Sequence, residues 1–156
     1  MSTFVAQRIT RAHTIQLPGT LEKVFPLFEP LGEKLWAEGW DPTMLYPSSG
    51  LTQAGAVFTT QHPDTKIWTT IVYEKAQAHA TYFNVLPHSH TSWINVRCER
   101  SGAQESQAHI TYTLTALTPL GNDYLATFTQ EYYQGYIDSW QSSISRYLLH
   151  GQTPSH

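Results

Sequence analysis

The C-terminal third constrains the fold most. There an alternating run, HITYTLTAL (109–117), passes through the short connector TPLGN into a segment of helical period that ends in RYLLHG. From Asn122 onward, apolar side chains recur at Leu125, Phe128, Tyr132, Tyr136, Trp140, Ile144, Tyr147 and Leu148. Steps of three and four place them along one face of a helix. A strand running directly into a long helix predicts an α+β arrangement in which the helix lays that stripe on a sheet. The stripe is rich in Tyr and Trp, whose O–H and N–H groups need partners when buried, so it suits a cavity lining better than a dry core. Glu131 and Tyr133 are displaced around the helix by about 100° per residue and are expected on its solvated side.

The remainder of the chain reads as strands. A first strand over 8–17 stops at Pro18 and Gly19. Thr20 then caps a short helix carrying Leu21, Val24, Phe25 and Phe28, which Pro26 and Pro30 limit to a turn or two. After the Trp-rich LGEKLWAEGW, residues 41–47 and 54–62 read as two strands, followed by KIWTTIVYE, ATYFNVLP, TSWINVRCER and a last strand over 106–118. The connectors HPDT, KAQAH and HSH are too short for the crossover a parallel pair needs, so an antiparallel meander is expected. In the last strand Ile110, Tyr112 and Leu114 form the inward set, and His109, Thr111, Thr113 and Thr115 the outward set.

Composition narrows the function classes. The nine Lys and Arg among 156 residues are scattered and the net charge is −3, which leaves no basic footprint for a nucleic-acid backbone. No apolar run approaches the roughly 20 residues of a membrane span, and MSTFVAQRITRAH lacks a secretory apolar core, so a cytoplasmic protein with no membrane insertion is expected. The length suits a single domain over 1–156 with its core at about 8–151. Cys98, the only cysteine, lies in a strand and reads as a buried structural residue.

These segments, in order, resemble the SRPBCC or START-like superfamily, the helix-grip fold shared by birch-pollen-allergen-like proteins and polyketide cyclases, and in particular its uncharacterised bacterial branch. The resemblance rests on IQLPGTLEKVFPLFEP, WAEGWDP, GAVFTT, the strand-rich middle, TYTLTALTPLGNDYLATFTQEYY and WQSSISRYLLHG, and covers about residues 9–151. It implies a curved antiparallel sheet of about six or seven strands wrapped around a long C-terminal helix, with one or two short helices after the first strand. It also implies a hydrophobic cavity between sheet and helix. Members of the wider group bind lipids, sterols, polyketides or hormones, and some are enzymes; fold does not settle which.

Within that frame the expected ligand-binding residues are Trp40, Phe58, Trp68, Tyr82, Tyr112, Phe128, Tyr132, Tyr136 and Trp140. Tyr132, Tyr136 and Trp140 lead because they project from the helix that closes the cavity. Trp36 and Trp40 read either as a gate at its mouth or as anchors for a short helix. The expected function is binding of a small, largely apolar molecule. The alternative is a cyclase, dehydratase or hydrolase-like enzyme in the same cavity, with Glu131, His109 and Tyr132 as proton-transfer candidates. His88 and His90 sit in what reads as an exposed turn. With no HExxH, paired CxxC or carboxylate set, neither a metal nor a cofactor is expected. The chain is expected to be a monomer or a homodimer.

Overall fold

Seven antiparallel strands form one sheet, and a C-terminal helix packs across its concave face. The computed structural model describes residues 3–154. The strands are β1 (Arg8–Leu17), β2 (Thr43–Tyr46), β3 (Val57–Thr60), β4 (Lys66–Glu74), β5 (His79–Leu86), β6 (His90–Gly102) and β7 (Glu105–Ala116). Their spatial order is β1-β7-β6-β5-β4-β3-β2, so β2 to β7 form a meander and β1 returns to pair with β7. Between β1 and β2 lie the single-turn helix α1 (Leu21–Val24) and two 3-10 turns, Phe25–Phe28 and Gly32–Leu35.

The sheet curves because an extra residue is inserted in β4. Pairing with β5 shifts register between Thr70 and Val72, and such a bulge bends its strand and increases its twist. Side chains of even-numbered β7 residues point inward: Ile110 and Leu114 are buried, as the alternation predicts. Cross-strand partners follow the same parity, giving a row Trp68–Asn84–Ser92–Leu114 and a second row Thr70–Tyr82–Ile94–Tyr112 across the concave face.

The closing helix is not continuous. Helix α2 (Pro119–Thr127) begins earlier than the Gly121 or Asn122 start expected from sequence, because Thr118 caps it by accepting from the Gly121 N–H at 3.1 Å and Pro119 occupies its first turn. At Phe128 the backbone leaves helical geometry (φ −89°, ψ 64°), and the freed carbonyl accepts a hydrogen bond from Arg11 Nε at 3.0 Å. Thr129 then caps α3 (Gln130–His150), accepting from the Tyr132 N–H at 3.1 Å, and Gly151 ends it in the left-handed conformation.

This break resets the rotation of α3. The face it buries carries Tyr133, Ile137 and Ile144, with Trp140, Tyr147 and Leu148 packed beside them. Tyr133 is therefore not solvated: it is fully buried and its hydroxyl donates to the Ile110 carbonyl. Together with Ile15, Leu17, Val24, Phe28 and Leu125 these side chains form the core, each contributing about 1.5–3 kcal/mol by leaving water.

Two glycines permit contacts that no other residue could make. A Cβ on Gly121 would lie 1.9 Å from the Ser89 carbonyl oxygen, so glycine lets α2 rest on the β5–β6 turn. A Cβ on Gly32 would lie 1.9 Å from the Pro26 oxygen; its absence lets the Trp-bearing segment fold back over the first 3-10 turn. Cys98 is buried, and burial pushes its thiol up to about 12, consistent with an unreactive structural residue.

Candidate functional site

A cavity of about 580 Å³ lies between the concave face of the sheet, α2 and α3, and the segment 33–41. Its floor is the sheet: Trp68 from β4, Tyr82 and Asn84 from β5, Ser92, Ile94 and Val96 from β6, Tyr112 and Leu114 from β7. Phe128, Tyr132, Tyr136 and Trp140 supply the helical wall, and Trp36 and Trp40 the wall opposite. Glu38, Asp41, Gln61, His62, Tyr132 and Tyr136 are exposed members of the lining and mark where it opens to solvent.

The two indoles of the segment 36–40 are both walls and anchors. Trp36 Nε1 donates to the Leu27 carbonyl and Trp40 Nε1 to that of Pro30, each at 2.7 Å, which satisfies the buried N–H groups and leaves the ring faces to the cavity. Trp36 meets Trp140 at 5.6 Å, and Trp140 meets Tyr136 at 5.3 Å and Tyr112 at 6.3 Å. At the other end Trp40 stands edge-on to Trp68 at 5.5 Å. Of the nine aromatic residues expected at the ligand, eight border this space. Phe58 does not: it is buried beside Trp68, its cross-strand partner, stacked on it at 5.4 Å, and supports that ring instead.

The proton-transfer candidates fare differently. Tyr132 borders the mouth with its side chain about half exposed, whereas Glu131 is exposed and outside the lining. His109 is on the convex face, held by Thr14 Oγ1 at 2.7 Å and Glu99 Oε1 at 2.8 Å. Glu131 and His109 thus have no access to the cavity, the first because of the rotation of α3 and the second because of strand parity.

One titratable group inside, Glu33, was not singled out by the sequence. Glu33 borders the cavity, and its backbone carbonyl accepts from the Trp36 N–H at 3.2 Å. The residue is half-buried, and the surrounding protein desolvates the carboxylate, which raises its pKa well above the usual carboxylate range. Burial raises Tyr82, Tyr112 and Tyr136 as well, the last to about 12, and the Glu33 charge adds to the effect on all three. Tyr82 is anchored by donating to the Phe28 carbonyl at 2.9 Å.

The opposite end is polar in another way. Lys66 lines it, with its pKa lowered by burial. His90, expected in an exposed turn, is instead the first residue of β6 and is buried; the ring stacks on Tyr124 at 4.5 Å and its Nδ1 lies 2.7 Å from Ser89 Oγ. Burial, with Lys66 and His88 nearby, lowers it to about 4, so it is neutral at pH 7. Between these ends Asn84 is buried with its Oδ1 unpaired. Among the described residues no group of three or more His, Cys, Asp or Glu is arranged to hold a metal ion. No helix among the described residues is long and apolar enough to cross a membrane.

No protein-family model and no curated protein matches this chain. Solved structures do. A norcoclaurine synthase from Thalictrum flavum superposes with a TM-score of 0.67 at 9% identity, covering 96% of this chain and 99% of that one. The ZhuI aromatase/cyclase from Streptomyces gives 0.65 at 13% identity over 96% and 99%, and a hypothetical protein from Helicobacter pylori 0.70 at 9% over 89% and 87%. At such identities the likeness is one of fold. The shared architecture is the helix-grip fold, as the resemblance in the sequence implied.

Proposed function

We propose that this helix-grip chain binds a small, largely apolar molecule, carrying at least one polar group, in the cavity between sheet and closing helices. One observation carries the reading: a cavity of about 580 Å³ walled by the rings of Trp36, Trp40, Trp68, Tyr112, Phe128 and Trp140. That volume falls within the roughly 300–1,000 Å³ of small-molecule sites, and aromatic walls with a few polar groups are their usual composition. Apolar contact supplies affinity, and Glu33, Asn84, Ser92 and Lys66 supply orientation. Among the structural neighbours, the norcoclaurine synthase was solved with dopamine and hydroxybenzaldehyde, ring compounds of a size that supports the same use of the space here.

The test is to purify the protein without denaturation and measure bound small molecules by native, then denaturing, mass spectrometry, alongside calorimetric titration with 2-naphthol. Ile94→Trp would fill the floor of the cavity. A stoichiometric adduct, or naphthol binding that this substitution abolishes while the circular dichroism spectrum is kept, is the expected result. Equal naphthol binding by both proteins would refute the reading.

A further inference from the structure

The polar group of the ligand can be specified further, on the premise that the cavity binds a ligand. Glu33 lies in the 3-10 turn Gly32–Leu35, and the Trp36 N–H donates to the Glu33 carbonyl at 3.2 Å. In 3-10 geometry side chains at i and i+3 eclipse one another, so the Glu33 carboxyl and the Trp36 indole share one face of the segment, the face that borders the cavity. Across from it stand Trp140, 5.6 Å from Trp36, and Tyr136 and Tyr112, whose rings lie 6.3 Å apart. Glu33, Tyr82, Tyr112 and Tyr136 line the same cavity, and the Glu33 charge raises all three tyrosines.

We propose that Glu33, Trp36, Tyr112, Tyr136 and Trp140 form an ammonium-binding box, and that the ligand is an apolar or aromatic molecule bearing a cationic amine. Ring faces attract a cation within about 6 Å of their centroids, and an enclosed carboxylate supplies the counter-charge. The charge balance of the lining points the same way. Glu38, Asp41 and His62 stand at the mouth, His90 is neutral, and Lys66 is the one lysine of the lining, on the sheet end of the cavity with Thr60 and His90. An anionic ligand would meet three carboxyl groups and one lysine; a cationic one meets the favourable field.

Desolvation shifts Glu33 toward its neutral form. A bound cation favours its ionised form, so binding releases a proton from this group, and affinity rises with pH as Glu33 ionises. The titratable groups lining the cavity with it are Tyr82, Tyr112 and Tyr136, all raised by burial and therefore silent in this range, Tyr124 and Tyr132 on the helical side, Lys66 and His90 at the far end, and Glu38, Asp41 and His62 at the mouth.

The probe is phenyltrimethylammonium, whose charge does not titrate, measured by calorimetry in two buffers of different ionisation enthalpy between pH 5 and 8, with 2-naphthol as the neutral control. The wild type is expected to bind the cation with proton release, and more tightly as pH rises. Glu33→Gln is expected to weaken the cation about tenfold or more, to abolish the proton release, and to leave naphthol within about twofold. The proposal is overturned if naphthol binds and the cation does not, or if cation binding is unchanged by Glu33→Gln. In either case the binding reading stands. If neither probe binds, both fall.

Discussion

Tyr133→Phe, set against Tyr132→Phe, tests the rotation of α3 on which the whole site depends. Tyr133 is fully buried and its hydroxyl donates to the Ile110 carbonyl, whereas Tyr132 is 55% exposed at the mouth. Removing the Tyr133 hydroxyl leaves a buried carbonyl without that donor while keeping the ring contacts with Tyr112 at 5.5 Å and Phe128 at 5.8 Å. The expected cost is that of one buried unsatisfied group, about 1–3 kcal/mol. For a chain of this size each kcal/mol lowers Tm by about 2–4 °C, and with a urea m-value of about 1–3 kcal/mol per molar the midpoint falls by about 1 M. Tyr132→Phe removes a hydroxyl already in water, so a change within about 0.5 kcal/mol is expected. Urea unfolding followed by far-UV circular dichroism measures both, with an unchanged m-value confirming comparable transitions. Equal effects, or the larger loss at Tyr132, would mean that the helix is turned by about 100° from the orientation described and that the cavity wall is composed of other residues.

Three further outcomes follow from the same geometry. Because Glu33 has a folded-state pKa raised above its ordinary 4.5, the folded protein holds that proton more tightly, and stability falls as pH rises from about 4.5 towards the folded value. Glu33→Gln lacks this slope, so its advantage in urea midpoint over the wild type should grow across that window; a pH-independent difference would sink the argument. His90 has the opposite sign: with its pKa lowered from 6.5 to about 4, the unfolded chain takes up the proton first, and stability is lost as pH falls through that interval. His90→Gln should therefore titrate less steeply than the wild type between pH 6.5 and 4, each residue being judged against its own variant. Thr129→Ala removes the cap on α3 and is expected to cost about 1 kcal/mol in the same unfolding assay; no loss would show that the break at Phe128 does not depend on the cap.

Much of the sheet was legible because period-two alternation fixes parity wherever one face is buried. The inward set Ile110, Tyr112 and Leu114 follows from it, and so does the outward placement of His109, which removed that residue from the site. The helix was less legible. Its apolar residues recur at three and four along two adjacent faces, and nothing in the spacing shows that Phe128 and Thr129 interrupt it and turn Tyr133 inward. His90 was read as turn because three residues between two strands look alike whether they connect or begin one. Glu33 was missed for a related reason. A four-residue 3-10 turn carries no periodicity, and the one local sign was an acidic residue between Gly32 and Trp36.

Sequence alone therefore determined what depends on near neighbours: the order of elements, their antiparallel pairing through short connectors, the inward face of β7 and the identity of the closing segment as helical. Tertiary structure decided what depends on distant ones. Trp36 and Trp140, far apart in the chain, meet at 5.6 Å because the segment after the second 3-10 turn and α3 pack together, and the cavity is the space the packed elements leave. The protonation of Glu33 belongs to the same category, since a carboxylate's pKa follows its distance from water, and that distance is set by whatever the fold brings around it.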